Sequence, residues 1–378
     1  MPRSRQKNSG PAMALVLQGG GALGAYQAGA YEALAMRTPD LTWVAGISIG
    51  AINAALIAGN PLDRRVERLH AFWDKISLAL LPSGAVGPAL GPMRSWWDTG
   101  MALLGAWRGV PGFFAPRMPL DWWPQMPVSL YDMAPLRQTL LELVDFDLLN
   151  DGPMRFSAGA VDVESGNLTY FDNRQERIGP EHVMASGALP PGFAAVQVDG
   201  RWYWDGGVVS NTPLSYVMSH LHGSSGIPAT VFQVDLFSAH GQLPQTLADV
   251  AEREKDIQYS SRTRLITEQA RHRHQLHHRL QRLAQMLPAS QREQPLVREL
   301  LAGTDAPPVT LVHVIHRRKS YETQTKDYEF SHLSMLEHWS AGLGDMEASL
   351  ELLRRQPPAK PGDFRVLDYQ ADAPQGPV

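Results

Sequence analysis

Two glycine-built turns, each directly after a strand-like apolar run, constrain this chain more than anything else in it. The first, Gly19-Gly20-Gly21-Ala22-Leu23-Gly24, follows Ala14-Leu15-Val16-Leu17. The second, Gly46-Ile47-Ser48-Ile49-Gly50, follows Leu41-Thr42-Trp43-Val44-Ala45. A G-x-S-x-G at a strand-to-helix turn lifts a serine Oγ out of the backbone on a sharp bend that needs small flanking residues. Consecutive glycines before a helix leave backbone N–H groups bare at its positive end, where an oxyanion can sit. A nucleophile needs such a partner, because stabilising the tetrahedral oxyanion is usually the largest catalytic term. The two turns together point to acyl transfer.

Neither turn is specific alone. Gly19-x-Gly21-x-x-Gly24 after a strand also fits a dinucleotide-binding turn. That fold wants a carboxylate at the end of its second strand, yet the nearby acid, Asp40, precedes the second strand. In an α/β-hydrolase the elbow follows several strands, and an acid and then a histidine come later. Ser48 follows only the second strand, so that topology does not fit. The best later acid is Asp205, in Tyr203-Trp204-Asp205-Gly206-Gly207.

A glycine-rich loop, G-x-S-x-G and a later D-G-[GA], in that order, resemble the patatin-like phospholipases, a family of Ser-Asp dyad lipid acyl hydrolases. Ala185-Ser186-Gly187-Ala188-Leu189-Pro190-Pro191-Gly192-Phe193 is similar to the segment that precedes the family's aspartate. The resemblance covers roughly residues 12 to 237. The family often has Asp before its three glycines and a basic residue two places after them, where this chain has Gln18 and Leu23. Charge pairing around the loop therefore differs, while backbone N–H donors are unaffected.

The resemblance implies Ser48 as nucleophile, on an elbow with Gly46 and Gly50, and Asp205 as the base that takes its proton, followed by Gly206 and Gly207. It implies an oxyanion hole at Gly19, Gly20 and Gly21, with N–H donors from Gly20 and Gly21 and Gly19 shaping the turn. It also implies a three-layer α/β/α fold with a mostly parallel central sheet, and a lipid ester substrate, phospholipid or lysophospholipid. A carboxylate with a pKa near 4 is a weak base for a serine hydroxyl. Proximity, desolvation of the carboxylate and strong oxyanion donors must compensate. Water then hydrolyses the acyl-serine.

Thirteen histidines keep a Ser-His-Asp triad open as a rival. His313, His316, His332 and His338 are the candidates, though none lies in a motif that aims it at Ser48. No metal and no cofactor is expected: cysteine is absent, and His272, His274, His277 and His278 lie among arginines that repel a cation. A formal charge of −4 excludes a global nucleic-acid-binding field. The lack of cysteine suits a reducing cytosol. The polar, basic start at residues 1–11 reads as a flexible N-terminus without a secretory signal. The absence of a run of about 18 apolar residues argues against a spanning helix.

Along residues 12–237 strands alternate with helices, which argues helices on the faces of a mostly parallel sheet. Residues 82–130 break the pattern. This Pro- and Gly-rich stretch carries Trp96, Trp97, Trp107, Phe113, Phe114, Trp122 and Trp123. Long irregular insertions are usually lids or binding loops, and this one is expected to wall the acyl pocket, either as a packed cap or with aromatics at a lipid surface. Asp199-Gly200 signals a two-residue hairpin that holds Asp205 at a strand end. Residues 238–355 read as a mostly helical C-terminal extension, and 356–378 as a Pro-rich, poorly ordered tail. Within the extension, Leu276, Leu280, Leu283 and Leu287 recur at 4-3-4 spacing among Arg271, Arg273, Arg279 and Arg282. That is a basic amphipathic helix suited to an anionic membrane surface or a partner helix. Asp327-Tyr328-Glu329-Phe330-Ser331 through His338-Trp339 resembles an extension found in a bacterial subgroup of patatin-like proteins.

The expectation is a lipid acyl hydrolase, cytoplasmic or peripheral at the inner membrane surface. Two alternatives stand beside it. One is an acyltransferase using the same acyl-serine, and the other a lipid-binding scaffold with little catalysis.

Overall fold

The computed structural model describes residues 12–38, 41–78, 93–117, 128–221, 228–304, 307–317, 322 and 325–369. The N-terminal residues 1–11, Trp122 and Trp123, part of the 82–130 stretch and the last residues of the tail lie outside them.

The order of strands and helices begins β1 (Met13–Leu17), α1 (Gly24–Arg37), β2 (Trp43–Ile47), α2 (Ile49–Ala58) and α3 (Arg65–Lys75). It continues through α4 (Arg94–Arg108), β3 (Ala115–Pro116), β4 (Tyr131–Asp132), α5 (Ala134–Leu143), α6 (Phe146–Asp151), β5 (Arg155–Asp162) and β6 (Leu168–Asp172). Next come α7 (Pro180–Ser186), β7 (Val196–Val198), β8 (Arg201–Asp205), α8 (Leu214–His220) and β9 (Ala229–Asp235). The chain then forms α9 (Leu247–Met286), α10 (Ala289–Arg292), α11 (Pro295–Leu301), β10 (Val309–Ile315), α12 (His332–Arg354) and β11 (Phe364–Asp368).

The main sheet runs β11-β10-β9-β1-β2-β5-β8-β7, with β6 also paired to β5. From β11 to β5 every neighbour is parallel; β6, β7 and β8 pair antiparallel. Parallel strands covered on both faces read as continuous apolar runs, and Ala14 to Leu17 are all buried. Leu15, Leu17 and Val44 pack with α1, α2 and α12 on one face, while Ala14, Val16 and Ala45 pack with α8 on the other. The α2 sequence Ile49-Gly50-Ala51-Ile52-Asn53-Ala54-Ala55-Leu56-Ile57-Ala58 is buried at every position, as an all-round apolar helix must be. The architecture is the expected three-layer α/β/α one.

Two features position the site. Leu17 lies opposite Gly46 in the β1–β2 register, so both glycine turns leave the same end of the sheet side by side. The β7–β8 hairpin turns at Asp199 and Gly200, both at positive φ (46° and 83°), the backbone that a two-residue turn between twisted strands demands. It returns β8 along β5, with Asp205 opposite Ala160.

The C-terminal part departs from the reading in two respects. No sheet boundary falls at 237/238: β10 pairs with β9 and extends the same sheet. The tail does not begin as disordered chain after Gln356. Phe364–Asp368 form β11 on the open edge of β10, where unpaired backbone groups were available, and Arg317 pairs with Asp368 at 3.1 Å. On α9 the leucine stripe stays off the core. Leu276 and Leu283 are exposed, and the inward seam is Thr263, Thr267, Ala270, His274 and Ala284. Small and polar side chains let a long helix lie close and meet polar groups; Thr263 Oγ1 accepts from the Gln18 amide at 3.1 Å.

Candidate active site

Ser48 sits between β2 and α2 at φ 57°, ψ −128°, a backbone that a residue bearing a side chain adopts only when its surroundings over-determine it. A Cβ on Gly46 would meet the Gly50 carbonyl oxygen at 2.1 Å, and one on Gly50 would meet the Leu17 carbonyl oxygen at 2.4 Å. Only glycine fits either place. The Ser48 N–H donates to both the carbonyl and the Oγ of Ser186 at 3.1 Å. The Ser186 hydroxyl in turn donates to the Gly159 carbonyl of β5 at 2.6 Å. The strained elbow is thus pinned from α7 and from the neighbouring strand.

Asp205 ends β8 with 1% of its surface exposed. Its carboxylate accepts the Gly207 N–H at 2.7 Å and lies beside the Ser48 hydroxyl. Burial pushes the Asp205 carboxyl up to about 7, against the opposing pull of those two groups. Desolvation wins because only two polar groups oppose it and no cation acts on it.

The glycine loop faces the same point. Gly19 donates its N–H to the Asn211 carbonyl at 3.1 Å, and its own carbonyl accepts from Asn211 Nδ2 at 2.8 Å. Its N–H is therefore engaged within the protein. Gly20 and Gly21 lead the short 3-10 turn Gly21–Leu23, where the first N–H groups lack intrahelical partners. Gln18, fully buried, accepts from the Leu236 N–H at 2.6 Å through its side chain and, through its backbone carbonyl, from Gln27 Nε2 at 2.6 Å. A neutral amide here ties the loop to the end of β9 without leaving a buried charge.

Above these groups opens a cavity of about 410 Å³, lined by Gly19, Gly20, Gly21, Ser48, Asp205 and Gly207 at one end. Its walls are Ile49, Ile52, Phe113, Phe114, Tyr131, Phe193, Phe237, Tyr259 and Phe330. Phe113, Phe114, Phe193 and Phe330 meet with ring centroids 5.5 to 6.4 Å apart. Part of the aromatic insertion is thus a packed wall, with Phe113 buried. Trp96 and Trp107, on the outer face of α4, are 81% and 79% exposed.

Among the described residues, no histidine lines this cavity. His316 and His338 hydrogen-bond to buried Glu322 at 3.2 and 3.0 Å, His332 lies 3.4 Å from Asp74, and His313 is on β10. The sets His316, Glu322, His338 and Glu176, His182, Asp199 gather ligand-type atoms, away from the cavity. Sequence reasoning missed Asn211 as a clamp on the glycine loop, Ser186 as a brace on the elbow, and the 327–330 segment as a wall. Ser186 and the 327–330 segment had a signal, the likeness of their stretches to family segments, but neither role could be read from it; Asn211 had none. No described helix is long and apolar enough to cross a membrane.

Comparison with known proteins matches the description "Patatin-like phospholipase" over residues 15–218 and "Patatin phospholipase" over residues 257–361. Uncharacterized NTE family proteins of Mycobacterium bovis and Mycobacterium tuberculosis are 26% identical over 210 residues, 55% of this chain and 46% of theirs. The chain spans about half the length of these curated relatives. Among solved structures, VipD from Legionella pneumophila aligns at TM-score 0.39 and 11% identity, over 91% of this chain and 67% of that one. Human GIVD cytosolic phospholipase A2 aligns at TM-score 0.39 and 12% identity, over 94% and 61%. With more than half of its length matched by the first of these descriptions, the chain belongs to the patatin-like phospholipase family.

Proposed function

We propose that the protein is a serine lipid acyl hydrolase of phospholipase A or lysophospholipase type, working through a Ser48/Asp205 dyad. The observation that carries this reading is the Ser48 hydroxyl set beside a buried, desolvated Asp205 at the floor of an aromatic cavity. Asp205 removes the proton as Ser48 Oγ attacks the ester carbonyl. The oxyanion is held by the N–H groups of Gly20 and Gly21, since Gly19 is already bonded to Asn211. The proton passes to the leaving alcohol, and water, deprotonated by Asp205, then frees the acid from Ser48. The apolar walls suit an acyl chain.

The substrate meets the protein at a lipid surface. On the outer face of α4, Trp96, Leu103 and Trp107 are exposed at helical spacing, and the helix's single acid, Asp98, is buried against Arg94 at 2.7 Å. Ala106 of the same helix lines the cavity, so the apolar face lies beside it. An uncharged Trp-bearing helix face next to an acyl cavity fits the headgroup level of a bilayer.

The test combines an activated phosphonate with a lipid panel. The phosphonate should label Ser48, and mass spectrometry should detect free fatty acid from phospholipid or lysophospholipid. An adduct elsewhere, or an undiminished one in Ser48→Ala, would overturn the assignment.

A further inference from the structure

The C-terminal segment reaches back over more than 300 residues to hold the glycine loop. The Asp327 carbonyl accepts the Ala22 N–H at 2.8 Å. Gly21, at φ 54°, approaches the same carbonyl so closely that a Cβ would lie 2.0 Å from its oxygen. Asp327 is therefore packed directly against Gly21, one of the two residues whose N–H groups are assigned to the oxyanion, and bonded to Ala22 next to it.

A backbone carbonyl positions a loop only if it is itself held, and here it is held by crossed ion pairs. The loop supplies Lys326, whose Nζ lies 2.8 Å from Asp256 and 3.3 Å from Glu252 of α9, all three buried. The helix supplies Lys255, whose Nζ lies 2.7 Å from the Asp327 carboxylate. Adjacent residues of opposite charge on each partner meet the opposite order on the other. A shift of one residue would bring like charges together, so the pairs set register, the best-attested use of buried ion pairs. On the far side, the Phe330 carbonyl accepts the Leu78 N–H at 2.7 Å.

We infer that Lys326, acting through the Asp327 carbonyl, is a positioning residue for the Gly20–Gly21 oxyanion donors, so the C-terminal extension is part of the catalytic unit. This rests on the acyl-hydrolase reading for its effect on rate, but not for its effect on the loop. Two readouts on the full chain separate them: amide exchange at Ala22, and kcat and KM on a soluble short-chain ester.

Lys326→Met alone would strand two buried acids, so the main variant is Lys326→Met with Asp256→Asn and Glu252→Gln. In a folded triple variant Ala22 should exchange about tenfold faster or more, as a hydrogen bond freed to open locally does. Its kcat should fall by about tenfold with KM little changed, less than the roughly 10² to 10³ for deleting an oxyanion donor. Lys326→Arg should restore most of the rate. A folded triple variant with wild-type Ala22 exchange overturns the proposal. If the triple variant does not fold, Lys255→Met decides: faster Ala22 exchange supports the clamp, and unchanged exchange with unchanged kcat overturns it. Fast exchange in a variant of a protein whose Ser48 resists the phosphonate leaves the clamp standing and removes the catalytic reading instead.

Discussion

The Ser48 hydroxyl faces Asp205, a carboxylate so deeply buried that its pKa is pushed up to about 7. For the proposed dyad, this answers the objection that an ordinary carboxylate is too weak a base. Proton transfer is most efficient when the base has a pKa near the working pH, and desolvation supplies that match without an imidazole.

The pH profile should report it. On a soluble ester, kcat/KM should rise with an apparent pKa of about 7 and then level off, because only ionised Asp205 accepts the Ser48 proton. A midpoint near the ordinary carboxylate value of about 4 would mean that Asp205 is not the titrating base.

Asp205→Asn should abolish turnover and change stability with a definite sign. The folded carboxyl has a raised pKa, so folding favours its protonated form. That contribution is complete below the unfolded value of about 4 and is lost as pH rises through about 7. The amide escapes this loss. Its melting temperature relative to wild type should therefore climb between pH 5 and pH 8, read by calorimetry in matched buffers. A gap that stays flat or narrows contradicts the raised pKa.

Phe330→Ala should enlarge the cavity. Phe330 is buried and lines the wall beside Phe113. Such truncations cost roughly 3–5 kcal/mol, so the variant should melt earlier while shifting preference toward longer or bulkier acyl chains. An unchanged chain-length profile in a folded variant would place the acyl chain elsewhere.

Vesicle binding should divide between two surfaces. Trp96→Ser with Trp107→Ser should weaken co-sedimentation at any salt, because apolar contacts are not screened. Changing Arg273, Arg279 and Arg282 of α9 to Gln should weaken it only at low salt, since exposed charges are screened beyond roughly 10 Å at about 0.1 M. Binding insensitive to both sets would make α4 and α9 purely structural faces.

Much of the arrangement was legible in the chain because the signals are local. A glycine flanking a strained turn, an apolar run four residues long and an Asp-Gly hairpin each state their own geometry within a few residues. Hence the alternation of strands and helices in the first half, the elbow at Ser48 and the strand-end position of Asp205 could all be read from the chain alone. The partners of those groups could not. Gln18 meets Thr263, Gly19 meets Asn211, and Ala22 meets Asp327, pairs that no periodicity connects. The leucine spacing in α9 has a related limit: it records an amphipathic helix, but which face is buried depends on what packs there, and the sheet side needed small and polar groups. By itself the sequence determined where the chain bends and which side chains those bends present. Only the tertiary structure decided how dry Asp205 is and what holds the glycine loop still, because desolvation and long-range hydrogen bonds arise when distant segments meet.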